Sequence, residues 1–234
     1  MPRNARNWTD NSCYHITHRC NNKMFLFKYD KYKDFYKRQL FIMKSRYKVD
    51  ILDYIITSNH VHLLVKIKNG QEISEGLRFL HGRMGQWYNS QNKCSGAFWS
   101  DRFHATRIQS GRHLGVCIFY IDLNMVRAGV VDHPAEWEYG SYNEFTGKTQ
   151  RCRIINKAEL MNSLRMSDFD DFKKWYLLTL NDKLENIASS KEAFWSRAIA
   201  VGDEDWLNEE APNMGIKRFK IFTVNNDQCF IGKG

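Results

Sequence analysis

From residue 12 the chain alternates. Tyr14, Ile16 and His18 fall on one side of an extended segment and His15 and Thr17 on the other, until Asn21-Asn22-Lys23 breaks the pattern. This strand and its polar turn occupy residues 12–27. The period then changes: Phe35, Leu40, Ile42 and Met43 form an apolar stripe among lysines and predict a helix over 30–47. Two strands follow, 51–56 and 60–67, around a turn at Thr57-Ser58-Asn59, and Lys68-Asn69-Gly70 closes the hairpin. Leu77, Leu80, Met84 and Trp87 recur at three- and four-residue spacing and predict a second helix over 74–89. Residues 94–108 read as a strand pair or an irregular strand. Leu114, Cys117, Ile118, Ile121 and Val126 mark a third helix over 112–127, with Gly129 as its C-cap.

This order of elements predicts an α+β fold, a ferredoxin-like antiparallel sheet with helices on one face. Past Pro134 the character changes. Residues 151–234 read as a helix-rich C-terminal extension, with apolar positions such as Phe169, Phe172, Trp175, Tyr176 and Leu180. Composition sets the boundary near residues 147–153, dividing the chain into 1–150 and 151–234.

Charge sharpens that division. The 234 residues carry 35 Lys and Arg against 26 Asp and Glu, a net +9. Residues 1–150 hold 22 basic and 13 acidic side chains, whereas 151–234 hold 13 of each, so the whole excess lies in the first part. Such asymmetry predicts a polyanion partner, because neutralising phosphates releases their counterions. Arg83, Trp87, Trp99, Arg102 and Arg107 cluster in or beside the second helix and the strand after it. Guanidinium forks suit phosphate oxygens, and aromatic faces suit unstacked bases. With 43% hydrophobic residues and three prolines the chain is neither disordered nor linker-like. No apolar run reaches the roughly 20 residues that cross a bilayer, and the opening Met1-Pro2-Arg3-Asn4-Ala5-Arg6 lacks a signal peptide's apolar core. Cys13, Cys20, Cys94, Cys117, Cys152 and Cys229 show no CxxC pair and no zinc-ribbon spacing, so free thiols in a reducing cytoplasm are expected.

Two local patterns carry candidate chemistry. In His60-Val61-His62 the imidazoles lie two residues apart on a strand and share a face, about 6.6–7 Å apart along the chain, so both can reach one metal ion. On local pattern alone, a pair of structural histidines accounts for them equally well. Tyr120 and Asn124 lie four residues apart on a helix, one turn along the same face. Alone, they too read as ordinary residues of an amphipathic helix.

Taken together, the motifs resemble a known family. Ser58-Asn59-His60-Val61-His62-Leu63-Leu64-Val65 resembles the HUH motif (histidine, hydrophobic, histidine) of single-tyrosine transposases. Tyr120-Ile121-Asp122-Leu123-Asn124-Met125-Val126-Arg127-Ala128-Gly129-Val130-Val131 resembles that family's tyrosine helix, usually written YIxxNPVRAGLV. Pro2-Arg3 and the stretch from Tyr14 to Asn22 are similar to its start. Within the family the resemblance runs to the REP-associated tyrosine transposases and covers residues 1–147. Met125 stands where the family usually has proline, and Ser58 where proline often precedes Asn-His; both changes bear on backbone shape. A paired-tyrosine enzyme would carry a second tyrosine beside Tyr120, but position 124 is Asn and the next tyrosine is Tyr139.

The resemblance implies an HUH endonuclease fold that cleaves and joins single-stranded DNA next to palindromic hairpins through a 5′-phosphotyrosine. Tyr120 would be the nucleophile. His60, His62 and Asn124 would hold Mg2+ or Mn2+. Arg3, Arg6, Arg19, Lys23, Arg83, Trp99, Arg102, Arg107 and Arg127 are the candidate DNA contacts. A monomer is favoured over a homodimer. The alternative is a domesticated hairpin-binding regulator that no longer cuts.

Overall fold

The computed structural model describes residues 7–148, 153–186, 193–216, 219–225 and 228–232. It opens with β1 (Ser12–Arg19), α1 (Asp30–Arg46), β2 (Asp50–Ile56), β3 (His60–Ile67), α2 (Gly70–Asn92) and β4 (His104–Ile108). The third predicted helix divides into α3 (Arg112–Asp122) and α4 (Asn124–Arg127), with Leu123 out of helical geometry between them. Then come α5 (Tyr142–Phe145), α6 (Lys157–Leu164), α7 (Phe169–Glu185), β5 (Ala200–Gly202), α8 (Glu204–Glu210), β6 (Ile221–Asn225) and β7 (Gln228–Ile231). The α+β class stands as expected.

Among the described residues seven strands join one sheet in the order β2-β3-β1-β4-β5-β7-β6. β1 lies between β3 and β4 and is antiparallel to both, pairing Thr17 with His62 and with His104. The antiparallel expectation holds across the first four strands. The β4–β5 pair is parallel, with Arg107 opposite Ala200, so the complete sheet is mixed. Of residues 94–108 only the last five form a strand, and Trp99 adds a single bridge to Cys20. The C-terminal part is helical over α6 and α7, as expected, and also supplies the three further strands.

Helices cover both faces rather than one. On the first face α1 packs against α2, where Phe35 stacks on Trp87 at 4.0 Å, and His18 of β1 meets His81 of α2 at 4.3 Å. The alternation of β1 turns its odd residues to the opposite face, where His15 meets Tyr120 of α3. Burial on both faces explains why all of β1 except Arg19 is buried, polar positions included. α7 lies against α3, with Tyr176 stacked on Phe119 at 5.4 Å. A Cβ on Gly115 would come within 3.0 Å of the Trp175 ring, so glycine permits that approach. Phe172, Tyr176 and Trp195 thus enter the same apolar core as Ile118 and Ile121.

Two boundaries have local causes. The Asn69 side chain accepts from the amides of Gln71 and Glu72, so α2 begins at Gly70, four residues before the predicted start at 74. Gly129, at φ +65°, ends the tyrosine segment as predicted, and its amide donates to the Val126 carbonyl. Among the described residues no helix is long and apolar enough to cross a membrane.

Candidate active site

His60 and His62 sit at the start of β3, and the strand geometry brings their rings to 4.8 Å. The neighbouring chain fixes both. His60 Nδ1 lies 2.7 Å from Asn59 Oδ1 and 2.9 Å from Thr57 Oγ1, inside the turn that joins β2 to β3. His62 Nδ1 lies 2.7 Å from Nε2 of His15 on β1, and His15 Nδ1 lies 2.8 Å from the Trp195 carbonyl. His15 and His62 are almost wholly buried. Burial lowers the His15 pKa to about 4. Burial first, then the neighbouring His60, holds His62 well below the ordinary imidazole range. Both rings are neutral at pH 7.

α3 brings Tyr120 across this pair, its ring 5.7 Å from that of His62 and 5.8 Å from that of His15. The Tyr120 hydroxyl lies 3.0 Å from Ser196 Oγ. One residue past the helix break, the Asn124 amide nitrogen donates to His62 Nε2 at 3.2 Å. The break at Leu123 therefore leaves Tyr120 and Asn124 on the same side, as the four-residue spacing predicts. The Arg127 guanidinium lies over the Tyr120 ring at 4.8 Å and donates to the Tyr120 carbonyl. His60, His62, Tyr120, Asn124, Arg127 and Ser196 line one cavity of about 330 Å³, with Arg19 and Phe25 also in its wall.

The donor set fits a divalent ion. With each Nδ1 engaged by its neighbours, Nε2 is the atom through which either histidine would ligate an ion, an arrangement typical of metal-binding imidazoles. Turning the Asn124 amide over would present its oxygen where its nitrogen now meets His62. Among the described residues no group of three or more His, Cys, Asp or Glu could hold a metal ion.

The candidate DNA contacts divide. Arg19 and Arg127 line the cavity. Lys23 is exposed on the adjoining turn, where its carbonyl accepts from the Asn59 side chain. Arg83 and Arg102 are exposed elsewhere on the first part of the chain. Two assignments need correction. Arg107 is buried, paired with Glu210 at 2.8 Å and lying over Trp206, so its charge serves the fold. One face of Trp99 is taken by His18, stacked at 4.1 Å, and its indole donates to the His81 carbonyl. Arg3 and Arg6 lie outside the described residues.

Sequence reasoning missed His15, Ser196 and Phe25. His15 had a signal, since it shares a face with Thr17, but its reach to His62 depends on the pairing of β1 with β3. Ser196 belongs to a stretch without a readable motif. Phe25 stands in a loop between periodic segments.

A model of the family described as transposase IS200 like matches residues 9–124. No curated protein matches the chain in sequence. The solved structure of a REP-associated tyrosine transposase bound to a REP hairpin resembles the fold at TM-score 0.52 and 15% identity, covering 63% of this chain and 87% of that one. A transposase candidate from Deinococcus radiodurans R1 gives TM-score 0.37 at 15% identity, over 50% of this chain and 92% of that one. By the family match over residues 9–124 and the ordered motifs the chain is similar to the IS200-like transposases, and its fold is like that of a REP-associated tyrosine transposase.

Proposed function

We propose that this chain is a metal-dependent single-stranded DNA endonuclease and strand transferase, acting next to palindromic hairpins through a 5′-phosphotyrosine. The observation that carries the reading is the meeting of one phenol, two imidazoles and one amide in a single cavity with arginines in its wall. His60, His62 and Asn124 would hold Mg2+ or Mn2+, whose charge polarises a non-bridging phosphate oxygen. Tyr120 Oη attacks the scissile phosphorus. Its bond to phosphorus forms as the bond to the 3′ oxygen breaks; the phenol loses its proton and the departing 3′ oxygen gains one. Because the phosphotyrosine conserves the phosphodiester, a 3′-hydroxyl can reverse the step and join strands. Arg19 and Arg127 offer guanidinium groups to the backbone phosphates. The exposed ring of Phe25 offers a face to an unpaired base.

We take the chain to act as a monomer. Among the described residues Cys13, Cys20, Cys94 and Cys229 are free thiols, which suits a reducing cytoplasm. The test is a labelled hairpin oligonucleotide with single-stranded flanks, incubated with protein and Mn2+ and run on a denaturing gel. A slow-migrating adduct, absent with Tyr120→Phe and with chelator, supports the transferase. Tight binding to a range of hairpins with no adduct would overturn it in favour of the regulator.

A further inference from the structure

We propose that His15 is a positioning residue for His62, itself oriented by the main-chain carbonyl of Trp195, so that residues 195–198 belong to the catalytic centre. The proposal deepens the reading of His62 as a metal ligand and rests on it. Its basis is the direction of a chain of hydrogen bonds. The Trp195 carbonyl lies 2.8 Å from His15 Nδ1 and can only accept, so that nitrogen carries the hydrogen. His15 Nε2 then has the lone pair. It lies 2.7 Å from His62 Nδ1, which must donate. His62 is left with its own lone pair on Nε2, the atom that faces Asn124.

The other end of the chain agrees. The Asn124 amide nitrogen sits 3.2 Å from His62 Nε2, and an N–H there requires a lone pair to meet it. A hydrogen on both nitrogens of His15 would confront His62 Nδ1 with a donor and move the His62 hydrogen to Nε2, against the Asn124 N–H. One direction satisfies every contact. Thr17 Oγ1, 3.4 Å from His62 Nδ1, offers only a longer alternative.

The carbonyl that sets this direction is held firmly. Thr106 is the cross-strand partner of His15, and its hydroxyl lies 3.2 Å from the Trp195 carbonyl and 2.8 Å from that of Ala198. His104 Nε2, one strand position pair along, lies 2.8 Å from the same Ala198 carbonyl. The Ile199 amide donates to Ile231 at 2.7 Å, joining the segment to β7. The Trp195 ring, fully buried, lies 5.9 Å from that of Tyr120. A stretch with no motif of its own thereby selects which His62 nitrogen can bind an ion. An imidazole ligates through its lone pair, and loss of such an outer partner typically costs 10–100-fold in metal affinity.

Long-range ¹H–¹⁵N NMR on the metal-free, ¹⁵N-histidine-labelled full chain reads the hydrogen positions without any substitution. His15 and His62 should both be protonated at Nδ1. Mn2+ titration followed by electron paramagnetic resonance should then show 10–100-fold weaker binding for His15→Leu, with fold checked by circular dichroism. His15→Gln should keep most of the affinity, because its amide oxygen can accept where His15 Nε2 now does. Protonation of His62 at Nε2 in the unaltered chain, or Mn2+ binding by His15→Leu equal to the unaltered chain, would overturn the proposal. His60→Ala separates the two readings: unchanged Mn2+ binding there sinks the metal-ligand assignment itself, whatever His15 does.

Discussion

The Tyr176 hydroxyl donates to Asp122 Oδ2 across 2.6 Å, tying α7 to the last residue of the helix that carries Tyr120. Both side chains are buried, and Asp53 of β2 lies close enough for the two carboxyl groups to sense each other. Burial raises the Asp122 pKa to about 7, against the pull of the Tyr176 hydrogen bond. Burial, then the Asp122 charge, raises Asp53 well above the ordinary carboxylate range. An unfolded Asp titrates near about 3.9. Between that value and about 7 the native chain keeps protons that the unfolded chain releases, so this contribution is complete below about pH 4 and fades as pH rises. Chemical denaturation should therefore show a loss from pH 5 to pH 8 of at least about 2–3 kcal/mol, the part that Asp122 alone accounts for at about 1.4 kcal/mol per pH unit. The double variant Asp53→Asn, Asp122→Asn should lack most of that loss. A chain whose stability is unchanged or greater at pH 8, with the variant behaving identically, would contradict the assignment.

Local spacing made half of the site legible. A two-residue interval on a strand puts His60 and His62 on one face whatever the rest of the chain does, and a four-residue interval does the same for Tyr120 and Asn124. His15 could not be found that way, because its place beside His62 follows from the register that sets Thr17 opposite His62. β5, β6 and β7 are three to five residues long, too short for alternation to stand out from loop. They form by adding to an edge already offered by β4. Arg107 misled for a related reason: charge counting treats every arginine as solvent-facing, and the Glu210 that neutralises it arrives from over a hundred residues away.

That ion pair gives a second prediction. The Arg107 side chain is 6% exposed and that of Glu210 22%, and the pair joins β4 to α8. Truncating one partner leaves the other charge partly desolvated, which costs about 3–5 kcal/mol in a fully buried pair. With Glu210 still partly hydrated, Arg107→Ala should cost about 2–3 kcal/mol by urea denaturation. The salt dependence of hairpin binding should stay unchanged, since no phosphate contact is lost. A flatter salt dependence with undiminished stability would return Arg107 to the DNA surface.

Asn124 tests the amide donor. It is half-buried and its side chain meets His62, so Asn124→Ala should change stability by less than about 1 kcal/mol. Mn2+ affinity should nevertheless fall at least about tenfold, and Asn124→Asp, which keeps an oxygen at the same reach, should restore it. Equal affinity in the alanine variant would mean that the ion takes its third donor elsewhere.

Phe25 separates DNA binding from folding most cleanly. Its ring is 66% exposed and forms part of the cavity wall that Tyr120 and Arg127 share, beside Met24 at 46% and Val130 at 55%. A ring so exposed contributes little to the core, so Phe25→Ala should alter stability by less than about 0.5 kcal/mol. Stacking of one unpaired base on an aromatic face is worth about 1–3 kcal/mol, which corresponds to roughly 5- to 150-fold in affinity. Fluorescence anisotropy with a hairpin carrying a single-stranded flank should register that loss, whereas a blunt hairpin of the same stem should bind both proteins alike. Phe25→Trp should bind the flanked hairpin at least as tightly as the unaltered chain, since the larger ring preserves the stacking face. If the alanine variant weakened both DNAs equally, the ring would be acting through the shape of its loop and not through a base.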